Sequence, residues 1–321
     1  MKNQINQFGK EVIDLQIKAL KKLKNSIGDS FDKAVKEIIK CKSKVIICGV
    51  GKSGKIASKI SATLSSVGTP SFSISASDCS HGDLGRITKK DILIIISYSG
   101  NTDELKNIIK YAKSNNITLI GIVSNKRSNL YDSADIKLLV PEVEEAGYGI
   151  VPTSSTTAQL SLGDALSIAL MKMKNFGQLD FKKFHPAGSL ANKLKTASDL
   201  MLTKSKIPFV NENETVRNAL KILNRKKLGF IVIINNHGLN TGIFTDGDLK
   251  RSLQKNKSIE KIKIKSLMTK KPYSVDENTL ISDIISKMNK KKITSVCVFN
   301  KKNKNKTIGV IHIHHILQFL K

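Results

Sequence analysis

Between Lys44 and Lys59 an apolar run of strand length, Lys44 to Cys48, breaks into Gly49-Val50-Gly51-Lys52-Ser53-Gly54 and restarts at once as a helical pattern. A strand that runs through bare glycines into a helix brings free N–H groups and one lysine together at the helix N-terminus. Such a turn holds an anion, or it only lets helix and strand pack closely. Two known anion turns nearly match. Gly49, Gly51 and Gly54 satisfy G-x-G-x-x-G, but no acidic residue closes the next strand, near Ser75, to take a ribose hydroxyl. Gly49 to Lys55 approaches the P-loop, but Ile56 stands where the magnesium-binding hydroxyl belongs. Neither a dinucleotide nor a magnesium nucleotide is expected there.

The turn opens a series. Five apolar runs of strand length, Lys44 to Cys48, Ser71 to Ser75, Asp91 to Ser97, Thr118 to Val123 and Ile136 to Val140, alternate with helical patterns. The helices lie near Ser53 to Val67, Thr102 to Ser114 and Asn129 to Ser133, with a long one from about Thr156 to Phe176. Strand and helix alternating at this spacing predict an α/β fold: a five-stranded parallel sheet sandwiched by helices, with its site at the carboxyl ends of the strands. Ahead of the first strand, Ile5, Phe8, Val12, Leu15, Ala19 and Leu23 form one face of a helix. A second helix follows Gly28, with Ser30 as N-cap and Phe31, Val35, Ile38 and Ile39 as its stripe. The stripe of the first is too apolar to leave in water and is expected in a domain or subunit contact.

Two turns in this region are rich in hydroxyls: Ser97-Tyr98-Ser99-Gly100-Asn101-Thr102-Asp103-Glu104, and Pro152-Thr153-Ser154-Ser155-Thr156-Thr157. Small hydroxyl residues around a helix start act as N-caps or give N–H and O–H donors to one phosphate. Two such clusters in one domain, with the glycine-lysine turn, point to a phosphate site.

The net charge of +28, from 54 basic and 26 acidic residues, would suggest nucleic acid. Its distribution argues against that. The basic residues are nearly all lysines scattered over helix faces, aromatic residues are 5% with no Trp, and no zinc-finger spacing or arginine cluster occurs. No apolar run of about 18 residues occurs and the start is polar, so no membrane span is expected and the protein is expected in the cytoplasm. Cys41, Cys48, Cys79 and Cys297 form no C-x-x-C pair and are expected as free thiols.

Near Phe176 the pattern breaks, and Phe184 to Leu190 reads as an irregular turn leading into a short helix. A repeat follows. Asp199-Leu200-Met201 returns as Ser266-Leu267-Met268, Gly242-Ile243-Phe244 as Gly309-Val310-Ile311, and Lys227-Leu228-Gly229-Phe230 roughly as Lys292-Ile293-Thr294-Ser295, a period of about 67 residues. Each unit reads as a helix, two strands and a closing helix, too small for a good core alone, so the two are expected to pack on each other.

The chain resembles the sugar isomerase (SIS) family and, within it, is similar to the arabinose 5-phosphate isomerases. The resemblance rests on Gly49 to Gly54, Gly68-Thr69-Pro70, His81-Gly82-Asp83-Leu84-Gly85, Ser97 to Gly100, Pro152 to Thr157, Gly163-Asp164-Ala165 and His185-Pro186. The repeat resembles a pair of CBS modules, most clearly at Gly242-Ile243-Phe244-Thr245-Asp246-Gly247-Asp248-Leu249. The resemblance implies a flavodoxin-like SIS domain over 44–195, a helical hairpin over 1–43 packed on it, and α+β tandem CBS modules over 196–321, at about 199–258 and 264–321. It implies a homotetramer and the cofactor-free interconversion of D-ribulose 5-phosphate and D-arabinose 5-phosphate, opening the route to the Kdo sugar of lipopolysaccharide. A sugar-phosphate sensor, or an isomerase of another phosphosugar, would keep the same phosphate loops.

Lys52, Glu104, Glu145 and His185 match the family's catalytic positions. Ser53, Gly68, Thr69, His81, Ser97, Ser99, Thr102, Thr153, Ser154, Ser155 and Thr156 match substrate-contacting ones, and Thr245 and Asp248 would hold a nucleotide or sugar-nucleotide effector. Moving a carbonyl between C1 and C2 requires a base for a carbon-bound proton, a stabiliser for the enediolate and a proton shuttle. Glu104 suits the base, Lys52 the developing oxyanion, and His185 the ring or hydroxyl proton. Three departures stand out. Ser75 replaces a histidine, a possible metal ligand, that many members carry six residues before His81, which leaves metal inhibition open, and no residue is assigned to a metal. Ala146 to Val151 lacks a common Cys-Pro and is about one residue shorter. His312-Ile313-His314-His315 replaces the Thr-x-x-Asp of the first CBS copy.

Overall fold

The computed structural model describes residues 2–255 and 258–320, which divide into two compact units, Met1–Phe184 and His185–Lys321. In the first, α1 (Lys2–Ser26) and α2 (Asp29–Lys40) precede β1 (Val45–Gly49), α3 (Lys52–Ser66), β2 (Ser71–Ser75) and α4 (Ala76–Cys79). Then come β3 (Ile92–Ile96), α5 (Lys106–Ser114), β4 (Thr118–Val123), α6 (Asn129–Ser133), β5 (Ile136–Leu139), α7 (Ser154–Met173) and α8 (Gln178–Phe184). The strands form one parallel sheet in the order β2-β1-β3-β4-β5.

Both faces of that sheet are covered, which is why β3 is apolar at every position. Val45, Ile47, Ile92, Ile94 and Ile96 pack under α2, α3 and α7 with Val35, Ile38, Ile60, Leu64, Leu162 and Leu166. The alternate residues Ile46, Cys48, Leu93 and Ile95 meet Leu105, Ile108, Ala112 and Leu130 on the opposite face. Burial pushes the Cys48 thiol up to about 12, and Cys79 and Cys297 up to about 11; all four cysteines are free.

The N-terminal hairpin differs from expectation at its joint. Ser30 is not the N-cap: α2 begins two residues earlier, behind Gly28, whose carbonyl accepts from the N–H groups of Phe31 and Asp32, while Asp29 and Asp32 complement the helix dipole. Ala19 and Leu23 of the α1 stripe are buried and Val12 and Leu15 half-buried, but Ile5 and Phe8 stay 66% and 57% exposed. Ile39 of the α2 stripe is likewise exposed.

The second unit holds α9 (Gly188–Lys193), α10 (Ala197–Leu200), β6 (Leu202–Thr203), β7 (Phe209–Asn211), α11 (Val216–Lys226), β8 (Phe230–Ile234), β9 (Asn240–Thr245) and α12 (Asp246–Lys255). β10 (Thr269–Lys270), β11 (Ser274–Asp276), α13 (Ile281–Lys291), β12 (Ser295–Phe299), β13 (Gly309–His312) and α14 (Ile313–Leu320) complete it. Two four-stranded sheets result, β10-β9-β8-β7 and β11-β12-β13-β6, so each repeat lends one short strand to the other's sheet. The exchange explains a feature of the repeat. A Cβ on Gly309 would lie 2.3 Å from the Met201 sulfur and one on Gly242 2.4 Å from the Met268 sulfur, so each glycine seats the methionine of the other copy. Phe230, Val232 and Ile243 of one copy share a core with Cys297 and Val310 of the other.

Candidate active site at the carboxyl ends of the strands

β1 continues to β2 on one side of the sheet while β3 lies on its other side, so the crevice outside the ends of β1 and β3 is the topological switch point. Gly49 is level with Ile96 in the register. The turn after β1 is drawn tightly onto its helix: a Cβ on Gly49 would lie 2.8 Å from the backbone carbonyl atoms of Ser53, and one on Gly54 2.8 Å from the Gly49 oxygen. Gly51, at φ +58°, caps α3. Lys52 opens that helix, exposed and without a partner among the described residues. The Ser53 hydroxyl donates to buried Gln159 of α7, Oγ to Oε1 3.2 Å.

The turn after β3 folds on itself. The Ser97 hydroxyl is buried, accepts from the Gly100 N–H (3.1 Å) and pairs with the Thr102 hydroxyl (2.8 Å); the Ser99 hydroxyl accepts from the Asn101 N–H (3.4 Å). Gly100 sits at φ +71°, with a Cβ there only 2.1 Å from the Ser128 hydroxyl, so no side chain fits. Glu104 follows in the 3-10 turn Asp103–Leu105. Its neighbour Asp103 pairs with Lys106 at 2.6 Å, while Glu104 is exposed and without a partner among the described residues.

The third cluster is already occupied. Glu145 lays its carboxylate across the first turn of α7: Oε2 accepts from the Thr153 N–H (2.8 Å), the Thr153 hydroxyl (3.1 Å) and the Ser154 N–H (2.7 Å), and Oε1 from the Ser155 N–H (3.3 Å). Burial alone would raise the Glu145 carboxyl, but the hydrogen bonds from Ser155, Thr153 and Ser154 outweigh it and hold it below the usual carboxylate range. The Thr156 hydroxyl donates to backbone carbonyls of Pro152 and Thr153. The hydroxyl-rich start of α7, expected as a phosphate cradle, therefore spends these donors within the chain.

Three expected site residues are not gathered at this end within one unit. Gly68 and Thr69 precede β2, and since Val45 pairs with Ser71 and Gly49 with Ser75, they lie at the amino end of the sheet. There Lys174 donates to the Thr69 hydroxyl (2.8 Å) and the Gly68 carbonyl (3.4 Å). His185 belongs to the second unit. His81 follows β2 and α4 on an exposed turn. Ser75, in place of a histidine, caps α4. Among the described residues no group of three or more His, Cys, Asp and Glu side chains is placed to hold a metal ion, and no helix is long and apolar enough to cross a membrane.

Residues 37–169 match the SIS domain, and residues 197–255 and 264–321 match the CBS domain. The arabinose 5-phosphate isomerase KdsD of Yersinia pestis is 40% identical over 314 residues, 97% of this chain and 95% of that protein. The chain belongs to the arabinose 5-phosphate isomerase family. The Francisella tularensis member is 39% identical over 96% of this chain and 95% of its own. Among solved structures, E. coli CFT073 c3406 in complex with arabinose 5-phosphate superposes at a TM-score of 0.56 with 35% identity, over 58% of this chain and 100% of that one.

In this member of the isomerase family the CBS pair carries its own cleft of about 490 Å³, lined by Thr245, Asp248, Arg251, Lys271, Lys292 and His312 among others. Thr245 and Asp248 form a capping box on α12. The Thr245 N–H and hydroxyl donate to Asp248 Oδ2 at 2.9 and 2.8 Å, the Asp248 N–H returns a bond of 3.2 Å, and Thr269 and Arg251 bind the other oxygen. Burial would raise Asp248, but the bonds from Thr245, Arg251 and Thr269 hold it below the usual range. In the second copy His312 takes the capping place, its Nδ1 accepting from the His314 N–H at 3.3 Å; burial, then His314 and His315, lower its proton affinity, which keeps that nitrogen an acceptor. Gln159 and Tyr98 escaped the sequence reading. Gln159 sits mid-helix with no motif, whereas Tyr98 lay inside a quoted motif and its spacing alone gave it no role.

Proposed function

We propose that this chain interconverts D-ribulose 5-phosphate and D-arabinose 5-phosphate by acid–base enediol chemistry, without a cofactor. The observation that carries the reading is the switch point between β1 and β3. There a glycine-capped helix start, with a lysine unpaired among the described residues, faces a turn whose donors are collected around Ser97, Ser99 and Thr102. The protein solved with arabinose 5-phosphate is matched over its full length by 58% of this chain, which supports the same substrate. In this reading the phosphate sits on the Ser97–Thr102 turn and the first turn of α3. Glu104, whose carboxylate has no partner among the described residues, takes the C2 proton of the aldose and delivers it to C1. The positive charge of Lys52 stabilises the enediolate oxygen. His185 opens the sugar ring or moves the hydroxyl proton, and His81 contacts substrate.

The finer organisation belongs to the same proposal. Residues 1–43 serve as a helical hairpin on an SIS domain of 44–195, and the exposed Ile5 and Phe8 enter the contact of a cytoplasmic homotetramer. The CBS modules of 196–321 bind a nucleotide or sugar-nucleotide effector, with Thr245 and Asp248 shaping that cleft, and the product feeds Kdo synthesis. One assay tests the reading: a panel of phosphorylated pentoses and hexoses, each followed for aldose–ketose interconversion. Turnover of the arabinose–ribulose pair above all others is expected. Turnover of a different pair changes the substrate, and binding without turnover makes the chain a sugar-phosphate sensor.

A further inference from the structure

Between Leu139 and Ser154 the chain forms no helix or strand beyond the isolated bridge from Ala146 to Val151. Loops this long are uncommon unless they serve a function. This one passes through three consecutive left-handed residues, Gly147 (φ +59°), Tyr148 (φ +63°) and Gly149 (φ +76°), and leaves Tyr148 and Ile150 in solvent. A loop so exposed at its tip would let Glu145 wander. Two side-chain hydroxyls prevent that. Tyr98, between Ser97 and Ser99, donates to the Pro141 carbonyl (3.4 Å) and accepts from the Val143 N–H (3.0 Å). Thr153 accepts from the Ala146 N–H (3.1 Å) and donates to Glu145 Oε2 (3.1 Å). The first ties the loop to the hydroxyl-rich turn after β3, and the second ties the residue after Glu145 to the carboxylate itself. The carboxylate is held unequally: Oε2 has three donors within 3.1 Å, and Oε1 has one at 3.3 Å.

We propose that Tyr98 and Thr153 are positioning residues that mount Glu145 at a fixed place relative to the Ser97–Thr102 turn, with Oε2 spent on α7 and Oε1 left to meet substrate. Thr153 is thereby reassigned from substrate contact to support, since its hydroxyl both gives and receives within the chain. What Glu145 does for the reaction rests on the isomerase reading; how it is held does not. A reacting group displaced by about 1 Å can lose on the order of 100-fold in rate, which sets the scale expected here.

The test uses the full chain with Thr153→Val, Thr153→Ser and Tyr98→Phe, read by steady-state kinetics on ribulose 5-phosphate and by amide hydrogen exchange across residues 140–153. Thr153→Val should lower kcat by roughly 10- to 100-fold with KM within about threefold, and Thr153→Ser, which keeps the hydroxyl, should recover most of it. Tyr98→Phe should lower kcat less. Exchange at the Val143 and Ala146 amides should quicken in Tyr98→Phe and Thr153→Val respectively, and the serine variant should match the parent. A Thr153→Val enzyme within twofold of the parent overturns the proposal, as does a rise in KM alone, which would return Thr153 to the substrate. If the parent turns over no phosphosugar, the isomerase reading fails and exchange alone decides: faster exchange in both variants upholds the mount, unchanged exchange removes it.

Discussion

Gly49→Ala adds one methyl group where strand β1 meets helix α3, and its cost can be worked from the geometry. The new Cβ would lie 2.8 Å from the Ser53 carbonyl carbon and oxygen and 3.0 Å from the Gly54 nitrogen, all backbone atoms with no rotamer to yield. Restoring an ordinary 3.4 Å contact requires strand and helix to part by 3.4 − 2.8 = 0.6 Å. The core beneath resists, because Ile60 and Leu64 of α3 are fully enclosed against Val45 and Ile47. Overpacking of this kind costs about 1–3 kcal/mol. For a unit of this size that is a fall in Tm of roughly 2–12 °C, best read by scanning calorimetry because two units need not melt together. The same parting carries Lys52 away from the switch point, so turnover should drop by roughly 10-fold even where the fold survives. Gly51→Ala is the control. Nothing lies within 4 Å of its Cβ, but φ +58° with ψ −122° is a conformation that L side chains rarely adopt, so it should lose about 1–3 kcal/mol from backbone strain alone. A Gly49→Ala protein that melts within a degree of the parent and turns over within twofold would refute the close approach and the placement of Lys52 that depends on it.

Other outcomes follow from single groups. Glu104→Gln keeps shape but not proton affinity and should slow turnover by roughly 100- to 10,000-fold while abolishing solvent deuterium wash-in at the carbon next to the carbonyl; activity within a few-fold moves the base to Glu145 or His185. Lys52→Met should slow turnover as strongly and weaken substrate binding more than Glu104→Gln does, seen as a larger rise in KM. Asp91, 2% exposed, accepts from Ser43, Thr88 and Lys44; burial would raise it, but these bonds outweigh burial and hold it below the usual range. Its charge therefore stabilises the fold fully above an unfolded pKa of about 3.9 and less as pH falls through the lower folded value, so Asp91→Asn should cost about 1–3 kcal/mol at pH 7 and progressively less in acid, measured by urea unfolding across pH. Asp248→Ala removes the capping box of α12 and should cost about 1 kcal/mol or more in the second unit's melting while the isomerase rate stays within twofold of the parent.

The parts of this molecule that were legible in the sequence are those set by local periodicity. Alternating burial on both faces forces continuous apolar strands such as Ile92–Ile96, and helix faces such as Val35 and Ile38 repeat at three and four, so the doubly wound sheet could be read directly. The glycines at 49, 51 and 54 were legible for the same local reason, since Gly49 and Gly54 each answer to a neighbour within five residues and Gly51 to its own positive φ. What could not be read depends on pairings between distant segments. The exchange of β6 and β10 between the repeats left its trace only as a glycine and a methionine recurring 67 residues apart, and nothing in either copy says which methionine meets which glycine. Gly68 and Thr69 share a resemblance with the other site residues, yet their place before β2 sends them to the far end of a parallel strand; motif membership carries no information about which end of the sheet a residue occupies.

The start of α7 is the instructive case. A helix N-terminus dressed with Thr153, Ser154 and Ser155 attracts any anion, and the sequence argument that assigns it to a phosphate is equally satisfied by a carboxylate on the same chain. Glu145 is eight residues away from Thr153, close enough for a loop with three left-handed residues to fold it back at small entropic cost. An internal carboxylate needs no association entropy and is present at every substrate concentration, so a phosphate would have to displace it from three N–H donors and a hydroxyl. Among the described residues the turn after β3 has no such internal anion in its hydrogen bonds; the Ser97, Ser99 and Thr102 hydroxyls bond neutral groups of the same turn, contacts that a dianion can replace at little loss. Charge already in place separates the two hydroxyl clusters: the α7 start keeps Glu145, and under the proposed reaction the sugar's phosphate is expected at Ser97, Ser99 and Thr102.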